Sequence, residues 1–320
     1  MTLVGFHNSH EQVHPRELLR AVRHAEEVGF DAAMCSDHFS PWSERQGHSG
    51  FAWSWLGAAL ATTDLTFGVV NAPGQRYHPA IIAQAIATLN AMFDGRLWVA
   101  LGSGEYSNEH ITGEVWPRKD LRDQRLRECV EVIRALLRGE EVSHDGLVHV
   151  DRARIWTLPD EQPLLIGAAV SAKTAAAHAD WADGLATVNQ PADVLRDVVT
   201  AYRDAGGRGD ASLQVHVCWD PDQERAERIA HDQWRSNVLG PPASWDIDSA
   251  TVFDQVSAHV SVDAVKEAVV VEADLGRLTE RLRDLVAIGF DRVYVHHVGQ
   301  EQLPFLDAFG EHVLPGLKAA

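Results

Sequence analysis

The chain is predicted to be an α/β protein, a (β/α)8 barrel with insertion segments at its C-terminal rim. Three observations predict it. A helix, a glycine and an apolar strand recur along the chain, which favours a parallel sheet with crossover helices. Enough strand-like runs are present to close a barrel rather than leave an open sheet. The 320 residues also suit one barrel of roughly 250 residues plus insertions.

In chain order, residues 4–6 read as a first short strand. Residues 15–28 place Leu18, Leu19, Val22 and Ala25 at helical spacing before Gly29, and residues 30–35 are extended and apolar. Further strands are expected at 65–70, 97–102, 164–167 and 213–218. A weaker copy of the unit has a helix at 175–181 and a strand at 183–188. The last has Leu278, Leu282, Leu285 and Val286 before Gly289, then a strand at 290–295. Gly-Phe-Asp opens two of these strands. Between 233 and 258 the periodicity fades around Pro241, Pro242 and Trp245, so this stretch is expected to be a lid or an irregular surface insertion within a single domain spanning 1–320.

Acidic residues outnumber basic ones, 46 to 28, for a formal charge of −18. Such a surface repels nucleic acid and anionic membranes. Cys35, Cys129 and Cys218 are scattered and odd in number, as expected of reduced, buried thiols in a cytoplasmic protein. No leader-like N-terminus and no membrane-spanning apolar run is read.

The polar clusters fall just after predicted strands, which in a barrel is the rim where chemistry is placed. Asp37, His38 and Trp42 follow the second strand, Asn71, Arg76 and Tyr77 the third, Ser103, Gly104, Glu105 and Asn108 the fourth, and His296 and His297 the last. His38 titrates near neutrality, so it suits a general acid or base, with Asp37 orienting or charging it; the plainer reading is a pair that only ends a strand. Glu105 reads either as a carboxyl raised by burial or as the start of a helix at 105–111. The run from Gly167 to Lys173 leads from strand to helix through small residues, and its N–H groups would hold a phosphate or simply be capped by Ser171. Trp42, held by Pro41, suits stacking on a flat ring or a cation. His38, His296 and His297 also admit a metal-dependent hydrolase, although neighbouring strand residues face opposite ways, so only one of the last pair enters the mouth.

Taken together, these motifs resemble the bacterial luciferase-like superfamily, and within it the group of coenzyme F420-dependent glucose-6-phosphate dehydrogenases. The resemblance runs in order through Glu11-Gln12, Pro15-Arg16-Glu17-Leu18, Ser36-Asp37-His38-Phe39, Pro41-Trp42, Arg76-Tyr77-His78-Pro79-Ala80, Ile82-Ala83-Gln84-Ala85, Gly102-Ser103-Gly104-Glu105 and Asn108-Glu109, and then more weakly to the C-terminus. It implies a flavin or deazaflavin at the barrel mouth. Asp37, Val70, Asn71, Ala72, Ser103, Gly104 and Asn108 would contact it, and its phosphate would rest near Ala169, Val170, Ala172 and Lys173. His38 and Glu105 would move protons and Trp42 would flank the reacting centre. No metal is implied.

Three departures bear on the resemblance. Where the family grips a sugar phosphate with basic residues, this chain has Pro191, Glu267 and an acidic stretch near Asp254, which argues for a substrate other than glucose 6-phosphate. The segment from Gly68 to Pro73 is one residue shorter than the family's bulge with its non-proline cis peptide, leaving open whether such a bond falls near Val70 or Asn71. Ala169-Val170 replaces a pair of glycines. One branch of the family is identified with FMN instead of F420, and the chain most resembles that branch, so FMN or F420, and hydride transfer or monooxygenation, both stay open. The partner implied is a small organic substrate, with a homodimer compatible. A flavin-binding protein without turnover is the rival reading.

Overall fold

The computed structural model describes residues 2–318. Eight parallel strands close on themselves: β1 Leu3–Asn8, β2 Ala32–Ser36, β3 Thr66–Asn71, β4 Leu97–Leu101, β5 Leu165–Ala168, β6 Leu185–Val188, β7 Ala211–Cys218 and β8 Arg292–His297. Each pairs with its sequence neighbours, and Phe6 opposite Val295 seals the ring between β1 and β8. This is the TIM barrel expected, with boundaries shifted by one or two residues. Helices α1 Pro15–Glu27, α2 Ala52–Thr62, α3 Pro79–Met92, α4 Lys119–Leu137, α5 Ala172–His178, α6 Ala192–Asp204, α7 Gln223–Trp234, α8 Leu275–Val286 and α9 Gln302–His312 form the outer layer.

Alternation along each strand divides the core in two. Outward residues such as Val4, Phe6, Ala33, Cys35, Phe67, Val69, Leu213, Val215, Val293 and Val295 pack on the helices. Inward, Ala32, Met34, Trp98, Ala100, Ile166, Ala186 and Tyr294 fill the barrel below its mouth. Small and large side chains are matched there. A Cβ on Gly68 would overlap the Trp98 indole, and one on Gly5 would overlap the Tyr294 ring.

Two elements interrupt the repeat. An antiparallel hairpin, Val142–Asp145 with His149–Ala153, lies between α4 and β5. Between α7 and α8 the stretch read as irregular is built from two 3-10 turns, Arg235–Val238 and Ala243–Asp246, and a helix, Ala250–Val256. Its residues are pinned to the loop after β2: Asp254 pairs with Arg45, Thr251 Oγ1 donates to Glu44, and buried Phe253 meets the Trp42 ring edge-on at 5.2 Å. The stretch expected to be a lid or an irregular insertion is thus ordered; short helices held by long-range contacts leave no sustained period to read.

Candidate active site

The loop after β2 presents His38 to the mouth. Its Nδ1 lies 2.6 Å from Glu11 Oε1, and its Nε2 lies 3.7 Å from Glu105 Oε2. The Trp42 ring stands edge-on to it, with centroids 5.4 Å apart. Glu11 follows β1 and is buried, with Ser9 Oγ donating to its other oxygen at 2.7 Å. Burial opposes its charge, but the His38 charge and the contact with it outweigh burial and hold Glu11 below the usual carboxylate range. Burial likewise opposes the imidazolium, and Glu11 again wins, so His38 is pushed up to about 9. Near neutral pH the pair is a carboxylate and an imidazolium.

Glu105 is the N-cap of the short helix Tyr106–Glu109 but makes no side-chain cap bond. Its carboxyl is turned toward His38 instead, and burial raises its pKa against the pull of the His38 charge. Asn108 braces the arrangement. Its Oδ1 accepts from the backbone N–H groups of Phe39 and Ser40, and its Nδ2 donates to Glu105 at 3.4 Å.

Asp37 departs from the expectation that it charges or orients His38. Its carboxylate is fully buried, accepts from Trp53 Nε1 at 3.2 Å, Asn71 Nδ2 at 2.7 Å and Tyr77 OH at 3.1 Å, and lies 3.5 Å from Arg76 Nη2. Three donors surround Oδ2 and Tyr77 takes Oδ1, with the side chain shut off from solvent, so Asp37 supports the rim from below and does not face His38. Glu11 takes its place. The residue was quoted only as part of a motif, yet the strand-end rule applied to β1 would have singled it out.

Across the mouth, β3 to β6 present a wall of small, uncharged groups. Val70, Gly102, Ala168 and Val188 are each partly exposed there. Gly104 has a φ of +84°, and a Cβ on it would press within 3.1 Å of Glu109, so glycine alone turns the chain between Ser103 and Glu105 without strain. Ala72 lies against that turn. Asn71 donates to Asp37, its Oδ1 is buried without a partner, and its carbonyl accepts from Gly102 N–H. No cis peptide occurs at Val70 or Asn71; among the described residues the cis bond is Pro241–Pro242.

The turn from β5 to α5 corrects a second expectation. Ala169 N–H is bonded to Ala186 O within the sheet and cannot hold a phosphate. Ser171 Oγ caps the helix through Thr174 N–H. The N–H groups of Val170, Ala172 and Lys173 have no such partner among the described residues.

His296 and His297 separate as alternation requires. His296 faces inward, and His297 stacks on Phe305 of α9 with ring centroids 4.5 Å apart. They cannot share a metal with His38, and among the described residues no group of three or more His, Cys, Asp or Glu could hold one. Sequence reasoning missed the company His296 keeps: His7, Gln12, Gln214, His216 and Trp234. No described helix is long and apolar enough to cross a membrane.

Residues 1–292 match the family model described as luciferase-like monooxygenase. The chain is 34% identical to an F420-dependent glucose-6-phosphate dehydrogenase of Nakamurella multipartita, covering 98% of this chain and 96% of the relative. A protein of the same name from Intrasporangium calvum is 33% identical, covering 99% of each. Among solved structures, an F420-dependent secondary alcohol dehydrogenase bound to an F420-acetone adduct superposes with a TM-score of 0.91 at 28% identity over 99% of both chains. The barrel, its rim motifs and these matches together make the chain a member of the luciferase-like monooxygenase family, a family of oxidoreductases.

Proposed function

We propose that this enzyme is an F420-dependent oxidoreductase that interconverts a carbinol and a carbonyl on a small substrate other than glucose 6-phosphate. The observation that carries the reading is the His38 imidazolium, held between Glu11 and Glu105 beside an apolar slot. The slot formed by Val70, Gly102, Ala168 and Val188 fits a flat, uncharged ring face, because no polar side chain there would be stripped of water. Ser103 and Gly104 border it, Ala72 and Asn71 back it, and the N–H groups of Val170, Ala172 and Lys173 suit the cofactor's phosphate. F420 is favoured over FMN because the similar proteins reported above are F420 enzymes by name. When bound, it supplies a ring carbon that gives or accepts a hydride.

His38 then serves the oxygen of the substrate. In the carbonyl-to-carbinol direction its Nε2 proton passes to the developing alkoxide, while Glu11 holds the ring from the other side. In reverse, the neutral ring takes the hydroxyl proton and Glu11 stabilises the imidazolium that forms. Trp42, with Phe253 behind it, shields the substrate from water, and residues 233–258 act as the lid over this side. Glu105, raised by burial, is the second group able to carry a proton at the mouth.

The relatives named for glucose 6-phosphate set the main alternative substrate. Against it, Asp254 is committed to Arg45, and the cleft lined by Pro191 and Glu267 sets Arg196 and Arg281 against Glu267 and Asp284. A phosphate dianion would meet mixed charge there. The test is an anaerobic titration with F420 and, separately, FMN, followed by propan-2-ol and glucose 6-phosphate. Tighter F420 binding and bleaching of the deazaflavin band with propan-2-ol are expected. Preference for FMN, or bleaching with glucose 6-phosphate alone, overturns the reading.

A further inference from the structure

Three strands contribute one histidine each to a single row inside the barrel. His296 of β8 is in register with His216 of β7, and Phe6 opposite Val295 brings His7 of β1 beside His296. The ring centroids of His7 and His296 are 4.6 Å apart, and those of His216 and His296 are 5.3 Å apart. The Trp234 indole closes the row, 4.5 Å from His216 and 4.9 Å from His296. All three imidazoles are buried, and among the described residues their side-chain hydrogen bonds go to Gln12 and Gln214 and none to a lysine or arginine. The mechanism above uses none of them.

Their hydrogen bonds fix where the protons sit. Gln12 Nε2 donates to Val298 O, so Gln12 Oε1 faces His296 Nε2, 2.7 Å away, and accepts its proton. His296 Nδ1 is then a lone pair, and Gln214 Nε2 donates to it at 3.4 Å. The second hydrogen of the same amide goes to His216 Nε2 at 3.2 Å. His216 therefore carries its proton on Nδ1. Gln214 Oε1 is left without a partner among the described residues, and His7 Nδ1 is buried with none. The row thus holds spare donors and spare acceptors, all uncharged.

The cluster adjoins the reacting centre. Glu11 grips His38, and the next residue, Gln12, grips His296. Burial holds His7 and His216 down at about 3, with the nearby His38 charge lowering His7 further against the pull of Glu11. A phosphate has no fixed cation here. A metal finds the His296 and His216 lone pairs already turned to one amide. A hydroxyl group, which donates once and accepts as well, matches each vacancy.

We propose that His7, Gln214 and His216 form a subsite for an uncharged, hydroxyl-bearing part of the substrate, making a polyol or an unphosphorylated sugar the substrate class. The proposal rests on the carbinol-oxidation reading and deepens it. Two measurements separate their failures. In the first, ligand-observed NMR on the full-length protein without cofactor compares glycerol, D-glucose, propan-2-ol and glucose 6-phosphate. Glycerol or D-glucose is expected to bind, and His216→Phe, which keeps a ring against Trp234, and Gln214→Met, a near-isostere, should each weaken that binding at least tenfold. In the second, the F420-loaded enzyme is assayed with the same compounds. The variants should raise KM for the hydroxylated substrate at least tenfold while leaving kcat/KM for propan-2-ol within threefold and F420 affinity unchanged. Absence of polyol and sugar binding by the wild-type protein, or binding that both folded variants retain, overturns the subsite. Polyol binding lost in the variants, with no turnover of any compound, supports the subsite and instead overturns the reaction.

Discussion

The two walls of the barrel mouth have the same backbone and opposite chemistry. Nearest the mouth, the inward positions from β3 to β6 are valine, glycine and alanine; from β7 through β8 to β1 they are glutamine and histidine. The first wall loses nothing when a flat apolar surface displaces water from it. The second keeps its hydrogen-bonding capacity in an uncharged form, because burial suppresses the imidazolium state of each histidine. His38 stands between them and is the exception: a buried carboxylate reverses the effect of burial and keeps it charged. One scaffold thus holds four buried or half-buried imidazoles in two protonation states, according to whether a carboxylate is in contact.

Replacing the charged member breaks the contrast most severely. His38→Asn should lower turnover by about 100- to 10,000-fold, the range for loss of a general acid, with F420 affinity within threefold of wild type; single-turnover absorbance and equilibrium titration separate the two. Unchanged turnover would remove His38 from the chemistry. Placing a carboxylate on the apolar wall is the complementary test. Ala168→Asp should weaken F420 binding on the order of 100-fold, since a charge there must be desolvated under the ring, while circular dichroism shows the barrel intact. Retained affinity would place the ring elsewhere.

The protonation contrast predicts a direction for pH dependence. With His38 pushed up to about 9, carbonyl reduction should be flat through neutrality and fall above about pH 9, whereas carbinol oxidation should rise up to that pH. A pH profile with the two limbs interchanged would exclude the imidazolium as donor. The smallest effect is on stability. His7, His216 and His297 are held at about 3 against an ordinary 6.5, so the unfolded chain takes up protons below pH 6.5 while the native state does so only near pH 3. Their joint contribution to stability should be fully present above pH 6.5 and decline on acidification, by up to about 1.4 kcal/mol per pH unit for each histidine; the raised His38 contributes in the opposite sense, its stabilisation being lost as the pH rises toward 9. His216→Phe should reduce the slope on acidification in urea unfolding by a fraction of a proton at pH 7, rising to nearly one proton at about pH 5.

The difference between the walls also explains what the sequence disclosed. Runs such as residues 32–35 and Leu97–Leu101 are apolar over their whole length because helices cover one side and the barrel interior the other, and this is visible without coordinates. Residues just past strand ends, His38, Glu105 and Trp42, were legible by position, and the structure brings all three together. Asp37 was misjudged because adjacency in sequence says nothing of direction: the chain turns its carboxylate down onto Asn71 and Tyr77. The histidine row was out of reach for a different reason. His7, His216 and His296 are separated by scores of residues and meet only through strand register, which no local pattern encodes. Ala169 was misjudged because a sheet hydrogen bond continues one residue past β5.

The paired exchanges of glycine for bulk inside the barrel have a consequence for traffic. Trp98 beside Gly68 and Tyr294 beside Gly5 fill the barrel interior beneath its mouth. If the mouth is the site proposed above, cofactor, substrate, product and exchanged protons would all pass through it. Once a ligand is seated across it, the groups beneath are cut off from bulk solvent, so a turnover must end with departure through the path by which it began. The order in which molecules enter is then imposed by depth, the innermost first, before any affinity is considered.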